Sequence, residues 1–109
     1  MNQGVKTVIY PVTDIAKAKA VFTALLGVEP YVDAPYYVGY KVAGQDIGLD
    51  PNGHKHGMTP YYQVDDIKQS LQALLDAGAT RVQDVTDVGG GKLIAVVKDT
   101  DGNIIGLTQ

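Results

Sequence analysis

The segment Asp99-Thr-Asp-Gly-Asn-Ile-Ile-Gly-Leu-Thr-Gln109 closes the chain with a polar turn and a short apolar run. Asp and Asn side chains hydrogen-bond to nearby backbone groups and Gly accepts a positive φ, so residues 99–103 are predicted to form a tight turn. The apolar residues that follow predict a strand. The earlier segment Ala43-Gly-Gln-Asp-Ile-Gly-Leu-Asp50 matches this pattern at one constant offset, which places Gly48 on Gly106. The match suggests that the chain contains an internal repeat.

A second pair of segments supports the repeat. Val, Asp and Ile occur at the same places in two further segments, Pro11-Val-Thr-Asp-Ile15 and Gln63-Val-Asp-Asp-Ile67. When these two segments are aligned with each other, Thr7 falls on Thr59. Two independent matches in the same order make an internal duplication more probable than chance similarity.

Both halves of the chain have the same predicted order of elements, β-α-β-β-β. Asp14 in the first half, and Asp65 and Asp66 in the second, precede apolar residues at helical spacing and are natural N-caps. Gly27 and Gly78 are predicted to end the two helices. The predicted strands cover residues 5–12, 29–32, 36–42, 45–49, 58–64, 81–85, 92–98 and 104–107.

The composition limits the class of protein. At 109 residues the chain is predicted to be a single domain, with module one over about residues 4–50 and module two over about 58–109. A net charge of -3 argues against a nucleic-acid partner, which needs a basic face. Because no cysteine is present, disulfides and thiolate metal sites are excluded. No apolar run is long enough to span a bilayer, so we expect no membrane partner and a cytoplasmic location.

Two βαβββ modules with these motifs resemble the vicinal oxygen chelate superfamily of glyoxalases, bleomycin-resistance proteins and extradiol dioxygenases. The resemblance is carried by the segments 11–15, 63–67 and 99–103, although the family usually has proline at the position of Thr100. It implies an α+β fold in which two tandem βαβββ modules form a curved mixed sheet with the helices on its convex face.

The resemblance also implies where a divalent metal would bind. The family's ligands on the first, fifth and eighth strands fall on Thr7, Thr59 and Gly106, and the duplicated position in the first half is Gly48. Hydroxyl groups bind such cations poorly and glycine has no side chain, so we predict no metal and no cofactor. Enzymatic activity stays an open question, with a non-catalytic protein favoured.

Tyrosines are the most informative of the remaining residues. Tyr61 and one or two of Tyr36, Tyr37 and Tyr40 are predicted to wall a concave cavity for a flat or hydrophobic ligand, because tyrosine combines a rigid ring with a polar tip. The alternative, that these rings only fill the core, stays open. The predicted ligand-binding residues, including the polar anchors on the fifth strand, are Thr7, Ile9, Tyr36, Tyr40, Thr59, Tyr61, Gln63 and Gly106.

Three other groups of residues have simpler interpretations. His54 and His56 favour a solvated loop, with adventitious metal binding as the alternative. Asp50 could join Asp65 and Asp66 in a carboxylate cluster, but helix capping explains the latter two. The run 89–91 predicts a flexible hairpin turn, with a lid over a pocket as the alternative.

Three functional hypotheses remain. The favoured one is a small-molecule-binding protein that resembles bleomycin-resistance proteins and holds a hydrophobic or aromatic ligand without metal. The others are a glyoxalase-like or dioxygenase-like enzyme, and a metal-free enzyme or a scaffold with a vestigial cavity. In proteins of this kind two chains pair and complete the cavities, so a homodimer is expected.

Overall fold

The computed structural model describes residues 2–52 and 57–109. The loop containing His54 and His56 lies outside the described residues. No helix in the described part of the chain is long and apolar enough to cross a membrane. The elements in chain order are β1 (Asn2–Pro11), α1 (Ile15–Leu26), β2 (Val32–Ala34), β3 (Tyr37–Val42), β4 (Gln45–Asp50), β5 (Thr59–Val64), α2 (Ile67–Asp76), β6 (Thr80–Asp87), β7 (Leu93–Lys98) and β8 (Ile104–Thr108).

The chain forms two compact units. Residues 6–59 make the N-terminal unit, and residues 1–5 with 60–109 make the C-terminal unit. Each unit repeats the order β-α-β-β-β, so the predicted α+β fold with two tandem βαβββ modules is confirmed.

In the N-terminal unit, β1 pairs in parallel with β4, β4 pairs antiparallel with β3, and β3 pairs antiparallel with β2. Helix α1 packs on β3 and β4. The buried centre of this packing consists of Val38, Tyr40 and Leu49, all with at most 1% of their surface exposed. These residues alternate with the glycines of the same strands, because successive side chains on a strand point to opposite faces.

In the C-terminal unit, β5 pairs in parallel with β8, β8 pairs antiparallel with β7, and β7 pairs antiparallel with β6. Helix α2 packs mainly on β7. The buried cluster beneath it consists of Val64, Ile67, Leu71, Ala95, Val97 and Leu107.

Both helices begin at the predicted aspartates. The Asp14 carboxylate accepts a hydrogen bond from the backbone N–H of Lys17 at 3.1 Å, and that of Asp66 accepts one from Gln69 at 3.1 Å. These bonds satisfy N–H groups that have no partner inside the helix. Asp65, which was predicted to share the capping role, instead accepts a hydrogen bond from the side chain of Gln3 at 2.8 Å.

The turn before β8 forms as predicted. The Asp99 carboxylate accepts hydrogen bonds from the backbone N–H groups of Asp101 and Asn103 and from the Asn103 side-chain amide, at 2.8–2.9 Å. The hydrogen bonds from Asn103 lower the pKa of the Asp99 carboxyl below its ordinary value. Gly102 has φ +89, which explains the need for glycine at that position.

The second strand lies two to three residues later than predicted. We expected residues 29–32, whereas β2 spans Val32–Ala34. Pro30 has no N–H to donate, so pairing starts only with the backbone N–H of Tyr31, which donates to the carbonyl of Gly39 at 2.9 Å. The shift moves Tyr36 out of the strand and into the turn between β2 and β3.

Candidate functional site

The sheet of each unit has a helix face, which packs on its helix, and a far face, which points away from it. In the N-terminal unit, Tyr10 and Val12 pack into the helix-side core, so their neighbours Ile9 and Pro11 lie on the far face. By the same rule the far face carries Thr7, Ile9, Pro11, Tyr37, Gly39, Lys41, Asp46 and Gly48.

The ring of Tyr37 lies across two paired glycines of this far face. Gly39 and Gly48 are directly opposite each other on β3 and β4. A Cβ atom on Gly48 would overlap the hydroxyl oxygen of Tyr37 and would stand 2.6 Å from Cδ1 of Ile9. A Cβ atom on Gly39 would stand 3.0 Å from Cε2 of Tyr37 and 3.4 Å from the ring of Tyr31. The aromatic ring and Ile9 together fill the space that a side chain at Gly48 would need.

A polar group borders the ring of Tyr37. The hydroxyl of Tyr31 donates a hydrogen bond to the Asp46 carboxylate at 2.9 Å. The ammonium of Lys41 lies 3.4 Å from the same carboxylate and 4.9 Å from the centroid of the Tyr31 ring. Partial burial, together with the hydrogen bond to Asp46, raises the pKa of Tyr31 to about 12. Tyr31 is therefore a neutral hydrogen-bond donor at neutral pH.

In the C-terminal unit a tyrosine ring also lies over a glycine of the far face, but it comes from the first strand of the module. Tyr61 is directly opposite Gly106 in the parallel pair of β5 and β8. A Cβ atom on Gly106 would overlap Cδ1 of Tyr61 and would lie 2.7 Å from its Cε1 and Cγ. The ring of Tyr61 thus covers Gly106, as the ring of Tyr37 covers Gly48. The counterpart of Tyr61 in the duplication is Ile9, because Ile9 lies opposite Gly48 on β1 and β4 as Tyr61 lies opposite Gly106 on β5 and β8. Tyr37 comes from β3, so the two contacts between a tyrosine and a glycine are similar but are not related by the duplication.

Polar side chains lie next along the same two strands. Gln63 is opposite Thr108, and both lie on the far face with Tyr61. Thr108 is only 2% exposed, and its hydroxyl has no hydrogen-bond partner within residues 2–52 and 57–109. The half-buried Gln63 is therefore the more accessible polar group beside the ring of Tyr61.

The structure places most predicted site residues on the far faces. Thr7 and Thr59 are buried there, with 8% and 4% of their surface exposed. Of the predicted set, Ile9 packs at Gly48, and Tyr61 packs on Gly106 with Gln63 beside it on the strand.

Two of the predicted ligand-binding tyrosines, Tyr36 and Tyr40, do not lie on a far face. Tyr36 lies in a turn and is 70% exposed. Tyr40 is fully buried on the helix face, where its hydroxyl donates to the carbonyl of Lys19 at 3.0 Å and lies 2.8 Å from the hydroxyl of Thr23. The tyrosine of β3 that lies on the far face is Tyr37. The alternation of the strand identifies it once Val38 and Tyr40 are known to face the helix.

These far faces do not suit a divalent metal. The four positions implied by the family resemblance carry Thr7, Gly48, Thr59 and Gly106, none of which offers a carboxylate or an imidazole. Tyrosine rings occupy the space above the two glycines. Among residues 2–52 and 57–109, no group of three or more His, Cys, Asp or Glu side chains could hold a metal ion.

The family is established by comparison with known proteins. The model of the Glyoxalase/Bleomycin resistance protein/Dioxygenase superfamily matches residues 4–107. The chain belongs to this superfamily. A search of curated protein sequences finds no significant match.

Several solved structures share the fold. A glyoxalase/bleomycin resistance protein/dioxygenase superfamily member from Vibrio splendidus 12B01 is 19% identical, with TM-score 0.74, over 100% of this chain and 99% of that one. The Mn(II)-bound glyoxalase from Novosphingobium aromaticivorans is 18% identical, with TM-score 0.74, over 99% of this chain and 40% of that one. A methylmalonyl-CoA epimerase from Mycobacterium tuberculosis is 17% identical, with TM-score 0.69, over 98% and 87%. At these identities the similarity establishes the fold alone.

Proposed function

We propose that this protein binds a small hydrophobic or aromatic molecule on its far faces without using a metal, as a relative of the bleomycin-resistance proteins. One observation carries the proposal. At Gly106, where the family resemblance implies a metal ligand, and at its duplicated position Gly48, a tyrosine ring occupies the space that a side chain would need.

A tyrosine ring that lies over a glycine offers one of its faces to a ligand. Both Tyr37 and Tyr61 are half-buried, so part of each ring stays accessible. Aromatic rings stack with other flat groups in offset or edge-to-face arrangements, which are worth about 0.5–1.5 kcal/mol beyond the area that they bury. Because glycine lets the ring lie close to the sheet, the ring is held rigidly and loses little entropy on binding.

Polar groups beside each ring orient the ligand through hydrogen bonds. In the N-terminal unit, Lys41 is 65% exposed beside the Asp46 carboxylate and provides a positively charged donor. In the C-terminal unit, Gln63 provides an amide that can both donate and accept. The ligand that fits these groups is flat and mostly apolar, with one or two hydrogen-bonding substituents.

A specific observation also favours a second candidate function, a scaffold in which side chains fill the far faces and leave no room for a ligand. Ile9 and Tyr37 both crowd the position above Gly48, and Tyr61 fills the position above Gly106. If these side chains do not move, no ligand has access to the glycines. The enzyme hypothesis rests on membership of the superfamily alone.

The discriminating experiment is a titration with the neutral fluorescent probe N-phenyl-1-naphthylamine, repeated with bleomycin by calorimetry. We expect saturable binding of at least one of the two. Replacing Tyr37 or Tyr61 with Leu should weaken it about two- to tenfold, because the stacking partner is lost. Tyr62→Leu is the matched control, since Tyr62 packs on the helix face of the same strand.

The scaffold hypothesis gives the opposite result. Neither compound would then show saturable binding, and the Tyr61→Leu and Tyr62→Leu variants would differ from the wild type in stability only.

A cytoplasmic location is part of the ligand-binding proposal, since the protein would meet an antibiotic or metabolite there. Fractionation of cells that produce the protein would test the location.

A further inference from the structure

A groove runs between helix α2 and strand β6 on the helix side of the C-terminal unit. Its volume is about 530 Å³, which is in the range of small-molecule sites. Its apolar floor consists of Leu71, which is 4% exposed, and of Val85 and Leu93, which are half-buried. The groove stays open because α2 packs mainly on β7 and covers the edge strand β6 less.

Strand β6 is irregular where it borders the groove. Its pairing with β7 shifts register between Arg81 and Gln83 and again between Gln83 and Thr86. In a regular strand, Asp84 and Val85 would point to opposite faces of the sheet. Here both of them line the groove, together with Arg81. Bulges of this kind redirect side chains and are over-represented next to active sites.

Positive charge prevails at the rim of the groove. Among the described residues that line it, Lys68 and Arg81 are cationic and Asp84 is the one carboxylate. The Nε atom of Arg81 lies 4.0 Å from that carboxylate, and both side chains are well exposed, so the attraction between them is weak. The chain as a whole has a net charge of -3, so the excess of positive charge is a local feature of the groove.

The charge of Lys68 is not neutralised by a neighbour. In the part of the chain that the structure describes, its ammonium has neither an ion pair nor a hydrogen bond. Lys68 also lies in the first turn of α2, where a cation opposes the helix dipole. An anion bound at this place would be stabilised by the ammonium and by the dipole together.

The N-terminal unit has a groove at the duplicated place, between α1 and β2, and an ion pair crosses it. Lys19 on α1 contacts Asp33 on β2 at 2.6 Å, and the groove measures about 260 Å³. Alignment of the helix caps Asp14 and Asp66 puts Leu71 at the place of Lys19. Within residues 57–109 no hydrogen bond or ion pair joins α2 to β6. The chain therefore bridges the first groove with its own side chains and leaves the second one free for a ligand.

We propose that the groove between α2 and β6 binds a small organic monocarboxylate that has an apolar body. The carboxylate lies between Lys68 and Arg81, whose charges attract it and whose N–H groups donate hydrogen bonds to it. The apolar body covers the floor of the groove and excludes water from it. The Asp84 carboxylate repels a dianion, such as a phosphate ester, more strongly than a singly charged group, which favours the monocarboxylate.

This site is separate from the far faces. The groove lies on the helix side of the C-terminal unit, whereas Tyr61 and Gly106 lie on the far face of the same unit. A ligand in the groove leaves the ring of Tyr61 uncovered. The proposal of ligand binding on the far faces and the proposal of a carboxylate site in the groove can therefore fail separately.

The first test is an NMR titration of the backbone amide signals with sodium hexanoate, compared with sodium acetate and with hexanol. We expect saturable shifts concentrated at residues 68–72, 81–85 and 93. Hexanoate should bind about tenfold more tightly than acetate, because part of its methylene chain is buried on the floor. Hexanol, which has no charge, should also bind more weakly. The absence of saturable shifts with hexanoate, or shifts centred on Tyr61, would overturn the proposal.

The second test removes the two cations one at a time. Lys68→Gln and Arg81→Gln should each weaken hexanoate binding about two- to fivefold at low salt, which corresponds to the loss of one exposed ion pair. Lys98→Gln is the matched control, because it removes the same charge from an exposed position of β7 outside the groove, and it should bind as the wild type does. Equal weakening in all three variants would mean that only the net charge matters and would overturn the site.

Asp84→Asn should have the opposite effect. Asn keeps a side-chain oxygen that can accept the hydrogen bond from the Val85 N–H, which measures 2.8 Å, but it loses the negative charge. Hexanoate should therefore bind about two- to fivefold more tightly, and the gain should vanish at high salt, where the charges are screened. Binding that is unchanged or weaker in Asp84→Asn would contradict a carboxylate held at this rim and would overturn the proposal.

Discussion

Gly48 and Gly106 are the residues on which the two tyrosine rings of the far faces depend. Neither glycine has a positive φ, so the backbone does not require glycine at these positions. The requirement comes from the rings, because a Cβ atom at either position would overlap a tyrosine side chain. Each glycine therefore has a packing role that its own conformation does not reveal.

Gly106→Ala should destabilise the protein by about 1–3 kcal/mol, the usual cost of overpacking a well-filled site. The added Cβ forces the ring of Tyr61 to move. Urea unfolding followed by circular dichroism measures the change in the free energy of unfolding. In a Tyr61→Ala background the same substitution should cost close to nothing, because the space is then empty. Equal costs in both backgrounds would show that the ring does not rest on the glycine.

Tyr31 provides a prediction at alkaline pH. Its pKa is raised from 10.0 to about 12, so folding favours the protonated phenol. The stabilisation is complete below pH 10 and is lost as the pH rises towards 12. The absorbance of tyrosinate, compared between the wild type and Tyr31→Phe, isolates this group. Asp46→Asn should lower the pKa of Tyr31, and an unchanged titration in that variant would contradict the contribution of the hydrogen bond.

At the level of elements, the turn from Asp99 to Asn103 positions strand β8 and with it Gly106. Besides two backbone hydrogen bonds, its three side-chain hydrogen bonds all converge on the Asp99 carboxylate. The turn is local in sequence, which explains why it could be predicted from five residues.

Asp99→Ala should lower the melting temperature, whereas Asp101→Ala, which removes a side chain outside this network, should change it little. The pKa of Asp99 is lowered in the folded protein, so its contribution is present above pH 3.8 and is lost as the pH falls through the lower folded value. The difference in melting temperature between the wild type and Asp99→Asn should therefore shrink in acid. A difference that is constant with pH would mean that the ionised carboxylate is not the stabilising group.

For the whole molecule, the residues that the family uses for metal binding are missing from the far faces, and this leads to a prediction about the purified protein. Untagged, dialysed protein incubated with zinc, nickel, iron or manganese should retain far less than one metal ion per chain, as measured by mass spectrometry. Any nickel or zinc that remains should disappear when His54 and His56 are replaced with Ala. Metal that stays at one per chain in that variant would restore the enzyme hypothesis.

Local patterns were enough to predict most of the elements. Asp14 and Asp66 cap their helices, because the groups that they satisfy lie three residues away. The repeat was visible because both modules use the same short turns and caps. The start of β2 was missed because Pro30 delays pairing with β3, and that effect depends on a partner strand that is remote in sequence.

The sequence by itself determined the two βαβββ modules, their caps and turns, and the lack of metal-ligating side chains at the expected positions. These features follow from residue types and from contacts within a few residues. Only the tertiary structure decided which tyrosines lie on which face. Alternation assigns a strand's residues to two sets, but pairing and packing decide which set meets the helix. Because β3 packs on the helix through Val38 and Tyr40, Tyr40 lies in the core and the ring of Tyr37 lies across Gly39 and Gly48.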